Sequence, residues 1–275
     1  MTNHLDLERL ACSWHLLTDH PAPEQPGDVA PSVLLAGTLD EPLLRTIGED
    51  GEERVIANVC RGCGSILVER ARPNLASIRC LDCDATHDPS DPDLGHVETG
   101  RWGPLSFASL QPAHTLADLL GPLPSALADR PVDRAVRSET CSRDFSVPAP
   151  WLAYVEDAAA TPDASPSRTW DLGIGWRDRW ILAPGTIIEA HDWGLSVRAV
   201  QPLSPRSTRV VLESWIWDAS KAPDPADISA NHHAIERRVA RRARGRASHA
   251  HESRDWTPPA AVDALRDVLA SIRPA

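Results

Sequence analysis

The chain has 275 residues, enough for about two domains, and at 42% hydrophobic and 24% charged its composition is that of a globular protein able to bury a core. A net charge of −11 argues against bulk binding to nucleic acid, and a single lysine, Lys221, all but excludes Schiff-base chemistry and a phosphate-gripping P-loop. No apolar run approaches the roughly 18 residues of a membrane span, and the N-terminus lacks the basic start and apolar core of a signal peptide, so a cytosolic protein is expected.

In chain order, a short helix near Leu5–Leu10 precedes a Pro-rich loop, Pro21–Pro31. Strands are predicted at Ser32–Gly37, Leu43–Ile47 and Arg54–Asn58, the last two joined by a turn carrying Asp50-Gly51. Ile66–Val68 and Ala76–Arg79 read as a strand pair flanking the cysteines, and Asp84–Asp93 as an acidic surface loop. Leu105–Leu110 is a strand, and Thr115–Leu120 a short helix stopped by Gly121-Pro122. The Pro-rich stretch Pro122–Pro131 is the expected boundary between two domains, 1–125 and 126–275.

The second half opens with a strand near Phe145–Val147 and a helix over Trp151–Ala160, followed by a loop, Thr161–Ser167. Leu172–Trp176, Trp180–Leu182, Thr186–Ala190, Leu195–Gln201 and Thr208–Trp217 then read as successive antiparallel strands. Two helices close the chain, one over Asp227–Arg244 and one starting at Thr257-Pro258, an N-cap followed by proline. The expected class is α+β: a small β domain, then an antiparallel sheet gripping a C-terminal helix.

Four of the six cysteines form the pattern Cys60-x2-Cys63-x16-Cys80-x2-Cys83. Two such turns at this separation point four thiolates at one centre, a zinc pattern, and four thiolates leave no open position for substrate. Gly64 supplies the positive φ that such a turn requires. Zinc is the expected occupant. A single iron or a two-iron two-sulfur cluster, also held by four thiolates, is the alternative. Cys12 and Cys141 stand apart and read as small buried groups.

The residues around the cysteines resemble the N-terminal domain of the Rieske non-haem iron oxygenase alpha subunits, the ring-hydroxylating family. Ser13-Trp14-His15-Leu16 is similar to their first strand, Ser32–Gly37 with Asp50-Gly51 and Val59-Cys60-Arg61 to the approach to their cluster, and Arg101–Phe107 to the strand that leaves it. Trp151-x4-Glu156-Asp157 resembles a helix of their catalytic domain, and Ile181–Gly185, Val200–Leu203 and Thr208–Val210 its later strands. The resemblance implies a Rieske-like domain followed by a helix-grip domain enclosing a cavity, with a small aromatic or apolar molecule, a protein partner or a second copy as binding partners.

The departures alter the expected chemistry. A Rieske centre takes Cys-x-His and Cys-x2-His; Cys60 and Cys80 match its cysteines, but Gly62 and Cys83 stand at its histidine positions, and Cys63 supplies the fourth ligand. Replacing imidazoles by thiolates would lower a two-iron centre toward about −400 mV. The family's mononuclear iron sits on two histidines and a carboxylate. The histidine positions fall at Asp163 and Arg168, the acid linking the two centres falls at Ala160, and the third ligand falls near Glu236. Arginine stays protonated and cannot ligate a metal. The implied protein is therefore a non-catalytic member acting by ligand binding or assembly; an active oxidoreductase with a cysteine-ligated cluster and a zinc-ribbon nucleic-acid binder are the alternatives.

Four further features have a plain reading beside a functional one. His232, His233 and Glu236 have helical spacing but read as a solvated helix face, as does the arginine run Arg237–Arg246 that follows them. His87, Asp88, Asp91, Asp93 and His96 read as a solvated loop rather than a second metal site. Trp170, Trp176, Trp180, Trp193, Trp215 and Trp217 divide between core and pocket lining.

Overall fold

The computed structural model describes residues 7–18, 22–89, 94–95, 97–160, 168–170, 173–175, 178–249 and 260–271. The first half holds helix α1 (Leu7–Ala11) and three small antiparallel sheets. Strands β1 (His15–Leu16), β7 (Glu98–Trp102) and β8 (Leu105–Ser109) pair in the order β1-β8-β7. Strands β2 (Val29–Leu34), β3 (Glu41–Ile47) and β4 (Glu53–Ala57) form a second sheet, and β5 (Ile78–Arg79) with β6 (Thr86–His87) a third. The turn at Asp50-Gly51 joins β3 to β4 as expected, with Gly51 at φ +79°.

Three expectations are corrected here. The Pro-rich loop gives way to strand at Val29, and Pro31 pairs with Leu44. An edge strand tolerates this, because β2 has one partner and proline has no N–H to leave orphaned on the open side. Ile66–Val68 and Ala76–Arg79 do not pair with each other: Ile66 bridges Val59, and β5 pairs with β6. Each cysteine turn closes its own hairpin, which also places Thr86 and His87 in strand rather than loop.

Helix α2 (Leu116–Leu120) starts at Thr115, whose hydroxyl accepts from the Asp118 N–H while the Asp118 carboxylate accepts from the Thr115 N–H, a capping box. Helix α3 (Leu123–Ala126) follows, and buries Leu123.

An eight-stranded antiparallel sheet dominates the second half. Its strands are β9 (Val136–Arg137), β10 (Arg143–Val147), β11 (Arg168–Trp170), β12 (Gly173–Gly175), β13 (Arg179–Leu182), β14 (Thr186–Ala190), β15 (Gly194–Ser204) and β16 (Ser207–Ile216). The order is β10-β16-β15-β14-β13-β12-β11, with β9 also on β16. Helices α4 (Trp151–Ala159), α5 (Pro225–His249) and α6 (Ala260–Ser271) complete it. The expected start of the last helix, Thr257-Pro258, lies outside the described residues. Among the described residues, no helix is long and apolar enough to cross a membrane.

Strand alternation divides this sheet into two faces. Arg179, Glu189 and Arg198 share the face beneath α4, where Arg179 Nη1 donates to the Ala158 carbonyl at 3.2 Å. Trp180, Ile188, Val197 and Val211 share the opposite face. One apolar cluster joins Trp14, Leu105 and Phe107 of the first half to Trp180, Ile188 and Val197 of the sheet and Val239 and Leu265 of the helices. The Thr38 hydroxyl, which donates to the Pro202 carbonyl, adds a polar tie between the halves.

Candidate metal centre

Two hairpins of different sequence build the same turn. In the first, the Cys60 N–H donates to Ser65 O at 2.8 Å and the Gly64 N–H to Cys60 O at 2.8 Å. In the second, the Cys80 N–H donates to Ala85 O at 2.8 Å and the Asp84 N–H to Cys80 O at 3.1 Å. The residue after each second cysteine is left-handed, Gly64 at φ +80° and Asp84 at φ +60°. Glycine takes this conformation without steric cost, and aspartate better than most residues. Arg79 steadies the second turn by donating to the Asp84 carboxylate at 2.8 Å.

Cys60 and Cys80 are buried in an apolar cluster with Val29, Leu44, Ile56 and Ile78, whereas Cys63 and Cys83 are exposed. The Sγ atoms of Cys60 and Cys83 lie 3.5 Å apart, as do those of Cys63 and Cys80. All four sulfurs fall within 4.8 Å of one another. Zinc–thiolate bonds of about 2.3 Å place tetrahedral sulfurs about 3.8 Å apart, so the set fits one ion.

The protonation chemistry points the same way. The Ser65 hydroxyl and backbone N–H lower Cys63 to about 6. The Ala85 N–H lowers Cys83, but Cys63 and Cys60 outweigh it and Cys83 is pushed up to about 12. Sulfurs this close resist ionising together, and a divalent cation resolves the conflict because coordinated thiols are deprotonated. A Cβ at Gly62, where the resemblance puts a Rieske histidine, would lie 3.4 Å from Cys83 Sγ, so that position does face the sulfurs.

His87 belongs to this centre. Its Nε2 lies 3.3 Å from Cys60 Sγ. The expected acidic loop includes it, and Asp91, Asp93 and His96 of that loop lie outside the described residues. The signal that could have found it is its place four residues after Cys83 in a hairpin, opposite Ile78 two residues before Cys80.

The second half uses its carboxylates differently. Glu156 and Asp157, adjacent on α4, are buried; Arg266 of α6 pairs with Glu156 at 2.7 Å and Arg238 of α5 pairs with Asp157 at 2.7 Å. Beneath α4, Glu189 is gripped by Arg179 and Arg198, each at 2.5 Å. Burial pushes Glu189 up, but the two guanidiniums prevail and hold it at about 2. Tyr154 Oη and Arg198 Nε are buried there without a hydrogen-bond partner among the described residues.

Of the positions compared with the oxygenase iron ligands, Asp163 lies outside the described residues, and Arg168 is described only as the first residue of β11. Ala160 caps α4. Glu236 sits on α5 beside His233, 3.5 Å away. The His232 side chain lies outside the described residues, as do those of Arg242, Arg244 and Arg246, whereas Arg237 and Arg241 are exposed. Among the described residues, the four cysteines are the group whose metal-binding atoms converge.

The tryptophans divide between core and surface. Trp180 is fully buried, Trp193 stacks on His191 at 4.6 Å, and Trp217 donates to the Asp192 carbonyl at 3.0 Å. Trp215 lines a cleft of about 310 Å³ between the halves with Leu16, Arg45, Leu105, Arg137 and Glu213. Trp170 and Trp176 lie outside the described side chains.

No family profile and no curated protein sequence matches the chain. Among solved structures it is similar to the apo form of a quaternary ammonium Rieske monooxygenase, CntA, with a TM-score of 0.73 and 14% identity over 96% of this chain and 88% of that one. It is similar to naphthalene 1,2-dioxygenase from Rhodococcus sp. bound to indole, with a TM-score of 0.62 and 16% identity over 96% of this chain and 89% of that one. A naphthalene 1,2-dioxygenase with indole in its active site gives a TM-score of 0.57 and 14% identity over 87% of this chain and 72% of that one. The chain shares the α+β fold of the Rieske oxygenases and carries four converging cysteines within it.

Proposed function

We propose that this is a Rieske-oxygenase-like protein, organised as domains 1–125 and 126–275, whose four cysteines hold one structural zinc ion and which works by binding a ligand or partner rather than by activating oxygen. The observation that carries the metal assignment is the convergence of all four sulfurs within 4.8 Å. One ion satisfies that spacing, whereas a two-iron cluster divides its four thiolates between two metals. When bound, zinc supplies folding energy and no redox step; Cys60, Cys63, Cys80 and Cys83 are its ligands.

In the second half, the residues at the compared positions favour the non-catalytic reading: Arg168 brings a fixed positive charge and Ala160 no carboxylate. A small molecule with an apolar body is accommodated in the cleft at Trp215, where Arg137 and Glu213 offer polar groups. The fold neighbours favour a second reading, a cysteine-ligated iron centre in an oxidoreductase; one of them, a quaternary ammonium Rieske monooxygenase, is described in terms of inter-subunit electron transfer.

Elemental analysis and a visible spectrum of the purified chain separate the two. About one equivalent of zinc and a colourless protein are expected. Stoichiometric iron with acid-labile sulfide overturns the zinc reading. Substrate-dependent oxygen uptake on adding Fe(II) and reductant, abolished by Asp163→Ala, overturns the non-catalytic one.

A further inference from the structure

We propose that His87 is a positioning residue of the metal centre: its Nε2–H donates to the metal-bound Cys60 thiolate, withdraws charge from that sulfur and strengthens metal binding. This rests on the reading of one ion held by four thiolates. The Nε2–Sγ separation of 3.3 Å is hydrogen-bonding distance for sulfur. The hairpin fixes the approach, since His87 lies directly opposite Ile78, which packs in the same apolar cluster as Cys60 and Cys80. A metal-bound thiolate can only accept, which sets the tautomer: the proton sits on Nε2.

Electrostatics gives the contact its value. Four thiolates around a divalent ion carry a net charge of −2. The exposed sulfurs have local relief: Cys63 takes the Ser65 N–H, and Cys83 takes the Ala85 N–H. Cys60 is 1% exposed, so water cannot serve it. The imidazole of His87 fills that role from a strand of the neighbouring hairpin, and so connects the two cysteine turns from outside the ligand set.

The test uses the full chain loaded with Co(II), whose ligand-field bands report the donor set and whose sulfur-to-metal charge-transfer band reports electron density on the thiolates. Wild type and His87→Ala are expected to show the same four-thiolate ligand-field pattern. In His87→Ala the charge-transfer band shifts to lower energy, and Co(II) affinity, measured against a competing chelator, falls about 10- to 100-fold, the usual cost of losing an outer-shell partner. His87→Gln, whose amide N–H can donate, is expected to recover part of both. Unmoved affinity and spectrum in His87→Ala overturn the role of His87 alone. A wild-type three-sulfur, one-nitrogen spectrum that becomes four-sulfur in His87→Ala makes His87 a ligand and overturns the donor role. A wild-type chain that takes up no Co(II) overturns the four-cysteine centre, and His87's role with it.

Discussion

The cysteine hairpins and the helix-covered face of the large sheet both gather groups able to bind a cation, and they treat them in opposite ways. In the hairpins four sulfurs converge, and the Arg79 guanidinium pairs with Asp84 in the second turn. Under the helices each buried carboxylate among the described residues is matched: Glu156 to Arg266, Asp157 to Arg238, and Glu189 to Arg179 and Arg198. The first region is left incomplete without an ion. The second carries its own counterions, so its burial of charge needs nothing from solution.

The largest effect that tests this contrast is loss of the ion. Structural zinc in small domains contributes on the order of 10 kcal/mol of apparent folding free energy. Cys80→Ser is expected to lose the metal and to melt the β region around it well below the large sheet, read by metal analysis and calorimetry. Unchanged metal content and melting in that variant would break the comparison.

Acid should sharpen it. Protonation of the thiolates releases metal in mild acid, because ligands must be deprotonated to bind. Glu189, held at about 2 against an ordinary value near 4.5, contributes stability that is fully present above about pH 4.5 and is lost as pH falls toward 2. That contribution is about 3 kcal/mol. The expected result is two steps on acidification, metal release seen with a chromogenic chelator and then, below pH 4.5, loss of the sheet seen by tryptophan fluorescence. A single coincident step would show that the two regions stand or fall together.

The smallest effect concerns an imperfection on the self-sufficient side. Tyr154 Oη is buried without a hydrogen-bond partner among the described residues. Tyr154→Phe removes a desolvated hydroxyl and is expected to change stability by less than about 1 kcal/mol, or to raise it. A loss of several kcal/mol in denaturant titration would mean that a bound water or ligand serves that hydroxyl in solution.

Legibility in the sequence followed the range of each interaction. The ligand set could be read because Cys-x2-Cys is a local turn, and the long strands β15 and β16 because extended apolar, valine-rich stretches mark buried strands. Two-residue strands carry no period, so nothing in the sequence distinguishes β6 from loop or places His87 beside Cys60. The pairs Asp157–Arg238 and Glu156–Arg266 join residues 81 and 110 positions apart, and neither spacing nor composition marks one arginine among many as the partner. The resemblance reaches only the end of β7, at Arg101–Trp102, because Glu98–Trp102 is largely polar and none of its residues is fully buried.

The separateness of the two cysteine hairpins has a consequence in polymer terms. Each turn closes its backbone hydrogen bonds within itself, and the sulfurs of one face those of the other. An ion among them is therefore a cross-link that ties off the 16-residue loop between Cys63 and Cys80. By the chain-entropy estimate used for disulfides, closing a loop of that size removes about 3 kcal/mol of freedom from the unfolded chain. Shortening the loop reduces that gain only slowly, since closure entropy varies with the logarithm of length. The connection between the hairpins can thus vary in length and sequence while the knot that holds it stays the same.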